Sequence, residues 1–438
     1  MTSLAAQWSS RRPWRRAALW LACLAPLFYA TYGFSNWMAS LRPDVPSVVF
    51  DWERSIPFIG WTILPYWSIN AFYGASLFVC TDRKELDTHG RRLLTAQLLC
   101  IACFLLVPLR FSFPRPDTGG GVPGFLFDAL LSFDKPYNQA PSLHIALLVI
   151  LWDLYARHTG GVARRLLDAW FLLIGASVLT TYQHHFIDIP TGALAGLVCL
   201  WIWPWQGRSP LAGFRLRREN APLASLYAAG AAGFAVAGWA TGGLGLWLFW
   251  PAVALALVAG NYALFGAQGF QKDASGQVTP ASMWLLAPSR WGAWLNSRLW
   301  TRRDPRPVAV ADGVWLGRMP GRRTAANFAR LVDLSAELRP PRAASVTALP
   351  TLDLVPPSPD LLRNAALAIE AARRHGPVLV CCALGYSRSA AAVAAWLLAT
   401  GRAPHAGEAA RLVRAARPRV VLKAATLDAV ALSRGDAP

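Results

Sequence analysis

Val378-Leu-Val-Cys-Cys-Ala-Leu-Gly-Tyr-Ser-Arg-Ser-Ala390 reads as an apolar β-type run, a tight loop, and a helix opening at Ser389. Cys382 and Arg388 enclose five residues, Ala383, Leu384, Gly385, Tyr386 and Ser387. A loop of this kind between a strand and a helix can turn several backbone N–H groups inward. With the positive end of the helix behind them, those groups cradle a phosphate dianion. The same field favours a thiolate at Cys382, and the thiolate is the nucleophilic form of the side chain. Arg388 supplies a planar guanidinium that can hold two phosphoryl oxygens as charge accumulates on them. Gly385 lets the loop turn where a side chain would obstruct it.

At Cys382, Gly385, Arg388 and Ser389 the chain resembles the dual-specificity branch of the cysteine phosphatases, whose signature is His-Cys-x5-Arg-Ser/Thr. The resemblance implies that Cys382 attacks phosphorus to form a phosphocysteine and that Arg388 clamps the phosphoryl group. Ser389 would ease departure of the thiolate when water hydrolyses the intermediate, and residues 383–387 would bind phosphate. Cys381 stands where that family usually has histidine. The mechanism also needs an acid to protonate the leaving oxygen. Asp353 lies 29 residues before Cys382, in an apolar context followed by prolines, as the family's acid does. Asp360 is the weaker alternative, because it opens the amphipathic run 361–372, where an acidic residue serves as a cap or first-turn charge.

Composition places much of the remaining chain in a bilayer. Of 438 residues, 54% are apolar and 15% charged, and 21 are Trp. The net charge of +19 is not spread as a nucleic-acid surface would require, because the basic residues gather in short clusters between long apolar runs. Eight runs are long enough, or nearly so, to span a membrane: 17–38, 58–80, 93–109, 140–156, 169–183, 191–207, 223–241 and 244–265. The first follows Arg11, Arg12, Arg15 and Arg16 and is too long for a cleaved signal peptide. With the N-terminus cytoplasmic, fifteen basic residues fall on inner segments and five on outer ones. That asymmetry fits the positive-inside rule and returns the chain to the cytoplasm after an even number of spans.

Three polar clusters fall on the outer face of this topology: Arg110 and Arg115, then Ser142 and His144, then His184, His185 and Asp188. Ionisable groups at a membrane boundary are costly and usually functional. These residues resemble the type 2 phosphatidic acid phosphatase superfamily, in its inositolphosphoryl-transferase-like branch. The matches are Arg115-Pro116, Pro141-Ser142-x-His144 and His184-x3-Asp188. The resemblance implies a phosphate-attacking His184 oriented by Asp188, with His144 as acid and Arg115 and Ser142 binding phosphate. The chain departs from the pattern at Pro108, in place of a lysine, and at Val178, in place of an arginine.

The expected architecture is an all-α polytopic membrane domain over 1–265, with the phosphatidic acid phosphatase-like region at about 50–205. A linker and interfacial segment at 266–304 interleaves Trp284, Trp291, Trp294 and Trp300 with Arg290, Arg298, Arg302 and Arg303. A cytoplasmic α/β domain of the dual-specificity phosphatase type occupies 305–438, with the phosphate loop at a strand's carboxyl end. No disulfide, metal or cofactor is expected: five of the seven cysteines sit in spans, and no metal-ligand spacing occurs. Such a fusion resembles bacterial inner-membrane proteins. The expected function is phosphomonoester hydrolysis on a phosphorylated protein or a phospholipid by the cytoplasmic site, with a second, histidine-based lipid phosphatase site outside. Head-group phosphotransfer or a non-catalytic anchoring role remain alternatives for the membrane half.

Overall fold

The computed structural model describes residues 12–118, 120–342 and 345–434, so Arg11 of the N-terminal cluster lies outside them. The chain divides into two compact units, Met1–Trp205 and Gln206–Pro438.

The first unit is helical: α1 (Trp14–Ser40), α2 (Ile63–Val79), α3 (Arg83–Leu106), α4 (Gly121–Leu131), α5 (Leu143–His158), α6 (Gly161–Thr180) and α7 (Asp188–Ile202). Helix α3 starts cleanly because Asp82 accepts from Glu85 N at 2.9 Å while Glu85 Oε2 accepts from Thr81 N at 2.9 Å. Helix α5 is the central rod, with Ala146, Ile150, Leu151 and Leu154 fully buried. Helix α7 lies close along it because Gly192 and Gly196, one turn apart, leave room. A Cβ at Gly192 would come within 2.5 Å of the Ser142 carbonyl, and one at Gly196 within 2.8 Å of that of Ala146. Small residues at this spacing are how apolar helices approach where no water drives them together.

Helices occur at all eight expected positions, but among the described residues four segments are long and apolar enough to cross a membrane: Trp14–Ser40, Arg83–Leu106, Arg218–Thr241 and Gly243–Phe270. The other four expected runs form helices that are shorter or carry charges. Helices α2, α5 and α7 have 17, 16 and 15 residues, and α6 carries Arg164, Arg165 and Asp168. Helix α5 cannot begin before its Ser142 cap, which follows Pro141, and α7 begins only after the turn holding His184 and His185.

The second unit opens with an apolar helical hairpin, α8 (Ala221–Thr241) and α9 (Phe249–Gly260), followed by short helices α10 (Pro280–Leu285) and α11 (Ala287–Trp300). A five-stranded sheet follows, β1 (Val308–Ala311), β2 (Val314–Arg318), β3 (Arg330–Ser335), β4 (Val346–Thr351) and β5 (Val378–Cys382), in the order β1-β2-β5-β3-β4. Only the edge strand β1 is antiparallel. Its helices are α12 (Arg322–Ala325), α13 (Pro359–Arg373), α14 (Arg388–Ala399), α15 (Ala406–Ala416) and α16 (Ala424–Leu432). Residues 388–398 of α14 are buried throughout, as its nearly all-apolar sequence requires.

Strand β5 is central and buried on both faces, and its two-residue period separates its side chains. Val378, Val380 and Cys382 join the core with α13 and α14, whereas Leu379, Cys381 and Ala383 join a second core with Met319 and Leu331. This alternation decides which of the two adjacent cysteines faces the helix start. Cys381 is completely buried among apolar groups, and that burial pushes its thiol well above the usual range.

The division at residue 205 differs from the boundaries expected at 265 and 304, and the reason is side-chain burial. Lys272, in the polar stretch expected to be a linker, is buried and ion-paired with Asp333 of β3. Its ammonium also donates to the carbonyls of Ser335 at 2.7 Å and Leu338 at 2.6 Å. Ala348 N donates to Ala274 O at 2.8 Å, Ser297 Oγ to Ala383 O at 2.5 Å, and Arg298 Nη1 to Met319 O at 3.1 Å. Residues 266–304 therefore form part of the sheet domain's packing. The exposed face of α11 carries Trp291, Trp294 and Leu295.

Candidate functional site

The loop from Ala383 to Ser387 leaves the end of β5 and closes at Arg388, the first residue of α14. Gly385 has φ +75°, and a Cβ there would lie 2.4 Å from the backbone of Gly317 on β2, so both the conformation and the close approach exclude a side chain. The turn brings Gly385 N to 3.2 Å from Cys382 Sγ, and Ser389 Oγ stands 3.3 Å from the same sulfur. The sulfur thus sits at a helix N-terminus with a backbone N–H and a hydroxyl aimed at it. Tyr386 packs beneath the Arg417 guanidinium at 4.9 Å, and its carbonyl accepts from Val421 N at 2.8 Å.

Arg388 is almost fully buried. Its Nη1 donates to Glu337 Oε2 at 2.8 Å and Thr351 O at 2.9 Å, and its Nη2 reaches Glu337 Oε1 at 2.6 Å and Asp353 Oδ1 at 3.1 Å. Nε is left without a partner. Burial opposes the charge on Arg388, but Glu337 and Asp353 outweigh it and hold the guanidinium firmly protonated. Glu337 is likewise kept ionised against its burial by Arg388. Asp353 goes the other way: burial, reinforced by the neighbouring Glu337 charge, raises its pKa despite Arg388. The carboxyl nearest the loop is thus biased toward the protonated form that a proton donor needs. Asp360, by contrast, is exposed in the first turn of α13 and pairs with Arg363 at 2.9 Å.

Glu337 escaped the sequence reading. It lies 51 residues before Arg388, just beyond β3, and its one visible mark is a lone acid in Leu334-Ser-Ala-Glu337. The bidentate pair fixes the plane of the guanidinium, which is what presenting it to a phosphoryl group requires. The loop of Asp353 is held too. Tyr262, just past α9, donates its hydroxyl to Asp353 O at 3.1 Å, and Leu352 and Val355 pack with Ala224, Val258 and Tyr262. Chemically, this arrangement can support displacement at phosphorus by sulfur, with charge neutralised by Arg388 and a proton supplied from Asp353.

The first unit brings together most of the other expected residues. His184 Nδ1 lies 3.0 Å from Asp188 Oδ2, and His184 Nε2 lies 3.2 Å from Ser142 Oγ, which also caps α5. Arg115 Nη2 donates to Tyr182 O at 3.0 Å, beside a cavity of about 230 Å³ lined by Arg115, Asp134, Lys135, Asn138, Gln139 and His184. His144 stacks on Tyr66 at 4.3 Å and does not line that cavity. His185 is committed elsewhere, to Glu53 at 3.0 Å. Arg110 is exposed and does not line the cavity, although its neighbour Phe111 does. Lys135 had counted only as an outer charge, yet it supplies a second cation beside Arg115. Burial raises the pKa of Asp134 to about 6, opposed by a hydrogen bond from Tyr32 and by the charges of His184 and Arg115.

No protein-family model and no curated protein matches this chain. Among solved structures, part of the chain is similar to Tk-PTP in its active form, with 26% identity over 30% of this chain and 97% of that one, at a TM-score of 0.28. Human DUSP28 is similar at 28% identity over 29% of this chain and 90% of its own, at a TM-score of 0.26. PTPMT1 in complex with PI(5)P is similar at 18% identity over 28% and 92%, again at a TM-score of 0.26.

Proposed function

We propose that the second unit is a phosphoric monoester hydrolase of the cysteine-dependent, dual-specificity type. The observation that carries this reading is the convergence on one sulfur: Gly385 N and Ser389 Oγ both reach Cys382 Sγ, and Arg388 is braced beside it by Glu337. The phosphate displaces Asp353 from Nη2 of Arg388 and so occupies the edge formed by Nη2 and the unpartnered Nε. Cys382 Sγ then forms a bond to phosphorus as the bond to the leaving oxygen breaks, and Asp353 gives that oxygen its proton. Water attacks the phosphocysteine, Asp353 takes up a proton from it, and Ser389 stabilises the departing thiolate. The substrate class is a phosphorylated protein or a phospholipid, and no cofactor enters the chemistry. The test is Cys382→Ser in a full chain that already carries His184→Ala, which should abolish hydrolysis of an aryl phosphate while leaving the fold intact. Substantial turnover by the folded variant overturns the reading.

For the first unit we propose a histidine-based phosphate site of the type 2 phosphatidic acid phosphatase kind, in an integral membrane protein of the bacterial inner membrane with both termini cytoplasmic. The His184–Asp188 pair, the Ser142 hydroxyl and the adjoining cavity with Arg115 and Lys135 support it. Asp188 fixes the His184 ring through Nδ1 and leaves Nε2 to attack phosphorus. His144 would be the acid by resemblance, and its unpartnered Nε2 is free for that role. Head-group phosphotransfer is the second reading, and phosphate capture on His184 followed by release to an alcohol rather than to water would favour it.

A further inference from the structure

The hairpin of the second unit does more than anchor it. A cavity of about 410 Å³, within the roughly 300–1,000 Å³ of small-molecule sites, runs from the catalytic loop along the two apolar helices. Its floor carries Glu337, Asp353 and Ala383, which are the brace of Arg388, the acid, and the first residue of the phosphate loop. Its walls are Tyr227, Phe234, Leu255, Val258 and Tyr262 from the hairpin region, with Gly292 of α11. From Tyr227 to Phe234 the groove climbs α8 by about 10 Å at 1.5 Å per residue. It climbs helices that are themselves long and apolar enough to cross a membrane.

We propose that this groove binds the hydrocarbon chain of a lipid phosphomonoester, so that the phosphate of a membrane lipid is delivered to Cys382. The inference rests on the cysteine-hydrolase reading above and adds its substrate class. Two further observations favour a lipid over a phosphoprotein. Most of the groove's wall is aliphatic and aromatic, which suits methylene groups, and Ser289 and Asn296 add two polar side chains on the α11 side. The acid's loop is packed directly on the hairpin through Leu352, Val355 and the Tyr262 hydroxyl, so one surface orients both the acid and the chain-binding groove.

The test uses the full-length protein at the lowest detergent that keeps it soluble, with acylglycerol 3-phosphates short enough to stay monomeric, so that each methylene passes from water into the groove. They are offered in order of increasing chain length at one concentration, beside an aryl phosphate and a phosphotyrosine peptide. Each methylene that enters the groove should raise kcat/KM by roughly fourfold until the groove is full. Leu255→Trp, which fills the groove, should flatten this dependence. Gly292→Leu is the second variant, because the space around the Gly292 Cβ position is open and the helix gains a better helix former. A chain-length dependence that persists unchanged in both variants means that partitioning into detergent alone reads the chain, and overturns the groove. So does a flat dependence in the unmodified protein, or a peptide preferred over every lipid. Failure of the unmodified protein to hydrolyse even the aryl phosphate overturns the hydrolase reading instead.

Discussion

Lys272→Met tests how the buried strap supports the catalytic arginine. The ammonium is fully buried and has three partners, the Asp333 carboxylate and the carbonyls of Ser335 and Leu338. Those two carbonyls bracket Glu337, which in turn grips Arg388. Methionine matches the stem of lysine but leaves Asp333 as a buried carboxylate with only Ser335 N (2.8 Å) and Ser335 Oγ (3.0 Å) as donors. Breaking a buried pair this way costs about 3–5 kcal/mol. For a unit of this size, that is a fall of about 10 °C in unfolding temperature. Burial already raises the pKa of Asp333 against the pull of Lys272. A carboxyl whose native pKa lies above its unfolded value holds its proton more tightly when folded, so it stabilises at low pH and destabilises once ionised. Loss of Lys272 raises the native pKa further, and the stability gap to the unmodified protein should close as pH falls toward the carboxylate range. Thermal unfolding of both proteins across pH, with kcat/KM for an aryl phosphate on the same samples, measures the effect. Asp333→Leu combined with Lys272→Met should recover only the part of the loss that comes from the unpaired carboxylate, because the Ser335 and Leu338 carbonyls still lack Lys272. A single-variant cost below about 1 kcal/mol, or a gap that widens on acidification, would refute the reasoning.

Asp353→Asn should slow hydrolysis of alkyl phosphates by about 10²–10⁴-fold, spare an activated aryl phosphate, and remove the descending alkaline limb set by the raised Asp353 pKa. Asp360→Ala should do neither. Glu337→Gln keeps one acceptor but loses the charged fork, and is expected to raise KM for phosphate esters while the pH profile keeps its shape. His184→Ala should eliminate phosphate capture by the first unit without touching the Cys382 reaction. Arg115→Ala and Lys135→Ala should each weaken that capture more than Arg110→Ala, and equal losses at all three would mean a diffuse charge effect. Reporter fusions check the basic asymmetry: one after Arg303 should report cytoplasm, and one near Gly120 the outer side.

The strand, the loop and the helix start were legible because each rests on local chemistry. A five-residue apolar strand, a glycine at positive φ and a helix opening at Arg388 and Ser389 leave little freedom in where Cys382 points. The choice between Cys381 and Cys382 follows from the alternation along β5. Glu337 and Lys272 were not legible for the opposite reason. Each acts through a partner more than 50 residues away, and a lone lysine among Gln, Asp, Ser and Gly reads as solvated linker until the fold buries it. In the first unit, His184 and Asp188 share a turn and could be paired from spacing, whereas Lys135 reaches the cavity only through the path of a loop. Helix ends were the least legible: the run 58–80 continues through a turn before α2 begins at Ile63, whereas α3 begins at Arg83, well before the expected 93, because its first turns are polar.

Helix α11 sets a distance. Ser297 on one side holds the Ala383 carbonyl of the phosphate loop, while Leu295 and Leu299, about 200° around the helix, are exposed. A helix with its side chains is about 10–12 Å across. If the proposed membrane setting holds and these leucines rest on the bilayer, the phosphate loop lies about one helix diameter from its surface. Encounter with substrate then becomes a search in two dimensions, governed by lateral diffusion and surface mole fraction. Diluting a lipid substrate with inert lipid should slow the reaction even when its bulk concentration is unchanged.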